Sequence, residues 1–96
     1  MNRTIRVENA VDAEMDDARR SWARLDDAWA VIEWVLAHDP TKGTPLTESG
    51  LARSFVYDGS IAHQMPPIQV IYVDENPYLT IKAIRITAPV YTAGNA

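Results

Sequence analysis

The stretch IQVIYVDENPYLTIKAIRI, residues 68–86, decides the fold of this 96-residue chain. It consists of two runs of branched apolar residues on either side of a polar turn at residues 74–77, a connection typical of antiparallel neighbours. In the first run, residues 68–73, apolar side chains occupy both parities of an extended strand. Because such a strand is apolar on both faces, we expect it in the centre of a sheet.

The second run of this stretch changes parity along its length. Leu79 and Ile81 lie on one face of an extended strand, whereas Ile84 and Ile86 lie on the other. Either both faces of this strand are covered, or a β-bulge near Ala83 turns the later side chains back to the first face. The sequence leaves these two alternatives open.

The first half of the chain carries a helical pattern. Residues 3–8 alternate as a half-buried strand does, and apolar residues then recur at steps of three and four. We predict that Asp12 caps the helix start and that residues 38–40, HDP, end it. A single helix over 12–38 would be about 40 Å long, so we expect a break into two helices near residues 16–21. The stripe that predicts the buried helix face consists of Met15, Ala18, Trp22, Leu25, Trp29, Ile32 and Leu36.

Three further apolar residues, Val31, Trp34 and Val35, lie off this stripe. A helix that is apolar on more than one side either sits in a groove between elements or offers a surface to another chain. The sequence therefore indicates a second, partner-facing use for the helix.

One more strand is predicted over residues 51–58, between polar loops at 40–50 and 59–67. The predicted fold class is α+β: a small, mainly antiparallel twisted sheet of about four strands, with one long or two shorter N-terminal helices packed on one face. We expect residues 1–96 to form a single domain with a mobile tail from about residue 92.

Composition excludes several classes of site. The chain has no cysteine, which rules out disulfides, thiol catalysis and the usual zinc clusters. No metal-ligand or phosphate-loop spacing is present, so we predict no cofactor and no metal. The formal net charge of −4 argues against broad binding to nucleic acid. The N-terminus lacks a signal-peptide core and the most apolar window, residues 28–37, is interrupted by Glu33, so we expect a cytoplasmic protein that does not enter a membrane.

A basic and aromatic set in the second half is the remaining candidate for chemistry. Arginine, lysine and tyrosine together could hold a phosphate, stabilise its charge and shuttle a proton, as metal-free RNA cleavage requires. The alternative, which spacing alone favours, is that Tyr57 and Tyr72 belong to the core and that the basic residues are ordinary surface charges. The set consists of Arg53, Tyr57, Tyr72, Lys82, Arg85 and Tyr91.

The order strand, helical pair, strand, strand, strand resembles the RelE/ParE superfamily of bacterial toxins. The resemblance rests on HDP at residues 38–40, on GTPL at residues 43–46 and on the 68–86 hairpin. Residues 68–72 fit the family's frame of aromatic, Arg, Val, hydrophobic and Tyr, with Gln69 standing where the family often has arginine.

The resemblance implies a toxin-like component of a type II toxin–antitoxin system that acts by protein contact. A cognate antitoxin would neutralise it by covering the sheet and the tryptophan-rich helix, and gyrase, or the ribosome with its mRNA, is the implied target. The candidate partner-binding residues are Trp22, Trp29, Val31, Trp34 and Val35.

Two other functions stay open. One is a metal-independent mRNA endoribonuclease with Arg53, Lys82, Arg85 and Tyr91 as catalytic candidates, against which the acidic net charge and Gln69 both weigh. The other is a non-enzymatic binding domain that forms a homodimer through the helix at residues 15–36.

Overall fold

The computed structural model describes residues 2–63 and 65–86. These residues form an α+β domain in which two helices pack against one face of a five-stranded sheet. The predicted fold class is confirmed, and the tail predicted from about residue 92 lies outside the described residues. In chain order the elements are β1 (Thr4–Val7), α1 (Asn9–Ala18), α2 (Leu25–His38), β2 (Thr44–Pro45), β3 (Ala52–Tyr57), β4 (Ile68–Glu75) and β5 (Tyr78–Ile86), with a turn of 3₁₀ helix at Ile61–His63.

The 68–86 hairpin occupies the centre of the sheet, as its sequence predicts. The strand order is β1-β5-β4-β3-β2, so β4 has a hydrogen-bonded neighbour on each side. β1 runs parallel to β5, and the other pairs are antiparallel. The two-residue strand β2 lies in the segment 40–50, which the sequence predicts as a loop. A strand this short has no hydrophobic periodicity from which it could be predicted.

A β-bulge explains the parity change in β5. The register of β4 against β5 shifts between Ile71 and Tyr72, which leaves Lys82 as the extra residue. The insertion returns Ile84 to the face that carries Ile81, and both side chains are buried. Of the two alternatives left open by the sequence, the bulge is therefore the one adopted.

The apolar stripe is divided between two helices, and the predicted break is confirmed. α1 ends at Ala18 and α2 begins at Leu25, while Trp22 lies in the link between them and packs against the core. The predicted cap at Asp12 is wrong: α1 begins earlier, with Glu8 at the N-cap position. The physical reason is Val11, whose side chain is buried in the core. Because Val11 packs there as part of the first helical turn, the helix begins before Asp12.

Both helices bury their apolar side against the same face of the sheet. The helices and this sheet face together form a single hydrophobic core. The buried helical residues meet side chains of β4 and β5 that share one parity once the bulge is counted. The buried apolar residues are Val11, Met15, Leu25, Ala28, Trp29, Ile32, Leu36, Ile68, Val70, Tyr72, Leu79, Ile81 and Ile84.

Candidate partner-binding surfaces

Arg53 lies on the helix-covered side of the sheet, where it holds the loop after α2. Its register partner on β4 is the core residue Tyr72, and directly paired residues share a face. The guanidinium donates hydrogen bonds to the backbone carbonyls of Gly50 (2.8 Å), Gly43 (2.8 Å) and Thr41 (3.2 Å). Arg53 thus joins β3 to the surrounding loop through three backbone acceptors.

Arg85 lies on the opposite side of the sheet. It pairs with Gln69, which alternates with the buried residues Ile68 and Val70 along β4 and therefore points away from the core. Gln69 donates a hydrogen bond to the Ser54 hydroxyl (3.0 Å), while the Arg85 side chain is exposed. The structure therefore does not bring Arg53 and Arg85 together.

Lys82 is held by an ion pair. Its Nζ lies 2.8 Å from Oε2 of Glu8, the residue at the N-cap position of α1. The hydrogen bond to Glu8 raises the pKa of Lys82, which keeps the ammonium group protonated. Tyr91, the fourth catalytic candidate, lies outside the described residues.

The two remaining tyrosines of the basic and aromatic set pack in or against the core. The Tyr72 hydroxyl donates to the Pro40 carbonyl (2.6 Å) and accepts from the Gly43 N–H (3.0 Å). Burial raises the pKa of Tyr72, so the phenol stays neutral. The half-buried Tyr57 directs its hydroxyl to the Met65 sulfur at 3.2 Å.

The second face of the sheet, which we call the open sheet face, is covered by neither helix of the described residues. Its apolar side chains are Ile71 and Val73, which are half-buried in the middle of β4, and Val56 near the end of β3, which is 56% exposed. The open sheet face consists of Thr4 and Arg6 on β1, Tyr78, Thr80, Ala83 and Arg85 on β5, Gln69, Ile71, Val73 and Glu75 on β4, Ala52, Ser54 and Val56 on β3, and Thr44 on β2.

Two arginines and one carboxylate give this face its charge, the carboxylate being that of Glu75, which accepts a hydrogen bond from Thr80. The Arg6 guanidinium lies 3.6 Å from the centre of the Tyr78 ring, a cation–π contact, and Arg85 lies towards the other end of β5. Neither arginine forms an ion pair with a described residue. By contrast, the segment that contains both helices, residues 8–39, holds nine acids and three bases, whereas the rest of the chain holds four acids and six bases. The helical layer is therefore the acidic side of the molecule and the open sheet face is the more positive side.

Sequence reasoning misses Arg6 and Tyr78 as site residues. The alternation over residues 3–8 places Arg6 on the face opposite Ile5 and Val7, which is the one local signal available. That β1 pairs with β5, and so brings Arg6 next to Tyr78, depends on a long-range strand pairing that no local pattern encodes.

The five candidate partner-binding residues differ in exposure. Trp29 is only 8% exposed and lies in the core, and Trp22 and Val35 are half-buried. Trp34 (64%) and Val31 (44%) are exposed on the side of α2 that points away from the sheet. The open sheet face and the exposed part of α2 thus point in opposite directions, so the single segment predicted to cover both would have to wrap around the domain.

Two further properties concern the described residues as a whole. None of their helices is long and apolar enough to cross a membrane. They contain no group of three or more His, Cys, Asp or Glu side chains placed to hold a metal ion.

Comparison of the chain with protein-family models, curated proteins and solved structures gave no match. Within residues 2–63 and 65–86, the fold and its surfaces define a class: a small α+β domain in which neither helix covers one sheet face and one helix exposes a tryptophan. Function is therefore inferred from these two surfaces.

Proposed function

We propose that this chain acts by protein–protein contact through the open sheet face, as the toxin-like component of a cytoplasmic type II toxin–antitoxin system. A cognate antitoxin neutralises it by covering that face. The observation that carries the proposal is the apolar part of the open sheet face, Ile71, Val73 and Val56, over which neither described helix packs. An apolar surface rimmed by polar side chains is typical of an interaction site.

The order of the elements supports the proposal. β1, α1, α2, β3, β4 and β5 follow the order strand, helical pair, strand, strand, strand on which the resemblance to the RelE/ParE superfamily rests. The short strand β2 is an addition within the loop between α2 and β3.

The placement of the basic residues favours contact over catalysis. Cleavage of a phosphodiester requires the participating groups to meet at one reacting centre. Arg53 and Arg85 lie on opposite faces of the sheet, and Lys82 is paired with Glu8. The described candidates therefore form separate contacts, one in a loop, one on the open sheet face and one at the start of α1.

The charge of the open sheet face suggests the chemistry of the antitoxin segment. Arg6 and Arg85 are separated along the strands by roughly 15 Å, at about 3.3 Å per residue. Glu75 already supplies a carboxylate near Arg6, since it pairs with Tyr78 and accepts from Thr80. A segment with apolar side chains for Ile71 and Val73 and a carboxylate towards Arg85 would therefore complement this face. We expect the cognate antitoxin to present such an acidic, amphipathic segment.

The test is induced expression in a bacterial host, with growth and total mRNA followed together. The variant Val56→Glu places a charge in the apolar part of the open sheet face. Leu51→Glu is the matched control, because Leu51 is 51% exposed, close to the 56% of Val56, and precedes Ala52 of the open sheet face, so it alternates to the other side of the sheet. We expect arrest with intact transcripts for the natural chain and for Leu51→Glu, and relief of arrest for Val56→Glu.

Other results would change the conclusion. Arrest with cleaved transcripts would overturn the proposal of action by protein contact and favour the endoribonuclease. Loss of cleavage in Arg85→Ala would then place the catalytic site on the open sheet face. The expected arrest with intact transcripts would instead support contact and direct the search to a protein target such as gyrase. Normal growth despite accumulation of the folded chain would overturn both toxin functions.

A further inference from the structure

The sheet has two edges, and they differ in what their outward backbone groups can do. The strand order places β2 at one edge and β1 at the other. On β2, the Leu46 N–H donates to the Ala52 carbonyl of β3 (2.8 Å), so Pro45, which alternates with Leu46, directs its backbone outward. Because proline has no N–H and this strand has only two residues, the β2 edge is protected against a further strand.

The outer edge of β1 has no such protection among the described residues. The Thr4 N–H donates to the carbonyl of Pro77 (2.9 Å), the residue before β5, so the even-numbered residues of β1 face inward. Ile5 and Val7 therefore direct their N–H and C=O groups outward, where no described residue forms a hydrogen bond with them. The strand also contains no proline, glycine or bulge that would prevent pairing.

Charged side chains often guard a sheet edge, but those of residues 3–8 are turned into the sheet. Each of them contacts a residue of β4 or β5, on the inner side of β1: Arg3 contacts Asp74 (2.7 Å), Arg6 the centre of the Tyr78 ring (3.6 Å) and Glu8 Lys82 (2.8 Å). The outer side of β1 therefore lacks the charges by which natural sheets discourage the addition of a strand.

The available length of this edge is short and has two fixed ends. At one end, the outward N–H of Arg3 already donates to the Ala37 carbonyl of α2 (2.9 Å). At the other end, the chain enters α1 at Asn9. Residues 4–8 remain between these points, a length of about 17 Å at about 3.3 Å per residue. The edge therefore has room for one extended segment of about five residues.

A second copy of β1 fits this edge poorly. In a two-fold antiparallel pair, registers centred on Thr4 or Ile5 bring a partner residue against Arg3, where the end of α2 lies. A register centred on Val7 brings the start of α1 against the partner strand. A register centred on Arg6 sets this residue against its own copy, and like charges directly opposite are destabilising. We therefore look to a segment of another protein as the occupant.

The side chains of β1 specify the chemistry of such a segment, because residues directly opposite each other on antiparallel strands share a face. Ile5 and Val7 are half-buried and pack against the core, so apolar residues are suited to the positions opposite them. Arg6 is exposed on the other side and forms no ion pair with a described residue. Glu75 lies two strands away, where it accepts from Thr80, so an acidic residue opposite Arg6 is complementary.

We propose that the outer edge of β1 binds an extended segment of another protein, which joins the sheet antiparallel to β1. The segment presents an apolar, an acidic and an apolar residue opposite Val7, Arg6 and Ile5. Its backbone supplies the hydrogen-bond partners that the outward groups of Ile5 and Val7 lack within the described residues. The inference stands apart from the toxin-like function, because the backbone of the edge carries it and not the apolar part of the open sheet face.

The first test is a titration of the natural chain with a blocked peptide of sequence TVEVT, followed through the backbone amide signals of the chain by NMR. We expect saturable shifts and slower hydrogen exchange at the amides of Ile5 and Val7. The amides of Thr4 and Glu8, which already donate to inner carbonyls, should change little. N-methylation of both valines removes the peptide N–H groups that face β1 and should weaken binding at least about tenfold. N-methylation of the glutamate, whose N–H faces away, should change the affinity less than about twofold.

The second test exchanges the charge opposite Arg6. The natural chain should bind TVEVT about threefold more tightly than TVKVT, and Arg6→Glu should reverse this preference. Arg85→Glu is the matched control, because it makes the same change at an exposed arginine towards the other end of β5 and should leave the preference intact. Circular dichroism of each variant checks that the fold is retained.

Three results would overturn the proposal. The first is the absence of any shift at Ile5 and Val7 up to the solubility limit of the peptide. The second is binding that methylation of the valines leaves unchanged, or that depends on Arg85 in place of Arg6, since the peptide would then lie on the open sheet face. The third is a dimeric natural chain in which the amides of Ile5 and Val7 already exchange slowly, since a second copy would then occupy the edge.

Discussion

The side chains of Arg53 and Arg85 lie on opposite faces of the same sheet. Arg53 shares its face with the buried Tyr72 and donates to carbonyls of the loop after α2, whereas Arg85 shares its face with Gln69 and Val56. These two arginines, on strands β3 and β5 of one sheet, therefore have different roles. Arg53 stabilises a loop, and Arg85 contributes charge to an exposed surface.

This difference predicts different effects on stability. Arg53→Ala should lower the free energy of unfolding by about 1–3 kcal/mol, because the loop loses three hydrogen bonds from a charged donor. Arg85→Ala should change it by no more than about 0.5 kcal/mol, as is usual for an exposed position. Urea denaturation followed by tryptophan fluorescence measures both, and equal effects of the two substitutions would contradict the assignment.

Removal of the Tyr72 hydroxyl should also destabilise the domain. This hydroxyl is the acceptor for the buried Gly43 N–H and the donor to the half-buried Pro40 carbonyl, so Tyr72→Phe removes the partner of both backbone groups. We expect a loss of about 1–3 kcal/mol. Tyr57→Phe is the matched control, because it removes only a hydroxyl–sulfur contact, and it should lose less than about 1 kcal/mol.

Gly43 should not tolerate a side chain at this contact. A Cβ added at Gly43 would lie 2.8 Å from both the Ser54 carbonyl oxygen and the Tyr72 hydroxyl. Gly43→Ala should therefore lower the melting temperature, because Tyr72 is buried and cannot move aside. Substitution of Ser49 by Ala, in the same loop but exposed, tests whether any change in the loop has this effect.

An ion pair predicts loss of stability in acid. Arg3 Nε lies 2.7 Å from Asp74 Oδ1, and Nη2 lies 3.2 Å from Oδ2. The hydrogen bond from Arg3 lowers the pKa of Asp74 below its ordinary value. The stabilisation is thus present above the unfolded-state pKa, about 3.9, and is lost as the pH falls through the lower folded-state pKa.

The measurement is the free energy of unfolding as a function of pH for the natural chain and for Asp74→Asn. The variant should be less stable at neutral pH, and its stability should fall less steeply in acid. Asp58→Asn, at an exposed position, is the control. Parallel acid profiles for the natural chain and Asp74→Asn would sink the prediction.

The carboxyl of Glu33 predicts the opposite dependence of stability on pH. Burial on α2 raises the pKa of this half-buried carboxyl, so ionisation disfavours the folded state. The penalty is absent below the unfolded-state pKa, about 4.3, and is fully present above the raised folded-state pKa. Glu33→Gln should therefore stabilise the domain at neutral pH and lose this advantage in acid, which thermal unfolding at two pH values would detect. An unchanged melting temperature at neutral pH would count against it, and Glu48→Gln in the exposed loop is the control.

Much of the architecture follows from local sequence patterns. The alternation in residues 51–58 and 68–86 identifies β3, β4 and β5, and steps of three and four identify the helical stripe. The same stripe separates Trp29, which is buried, from Trp34, which is exposed. These features are readable because hydrophobic periodicity depends only on neighbours within one element.

The sites depend on relationships between elements, which local patterns do not contain. The bulge at Lys82, the division of Arg53 and Arg85 between two faces and the contact of Arg6 with Tyr78 all follow from strand register. A shift of one residue in register moves every side chain of a strand to the other face, so composition and spacing alone cannot place a charge on a surface. The sequence by itself thus determined the elements and their buried sides, whereas the tertiary structure decided which polar residues meet, because that is a property of long-range pairing.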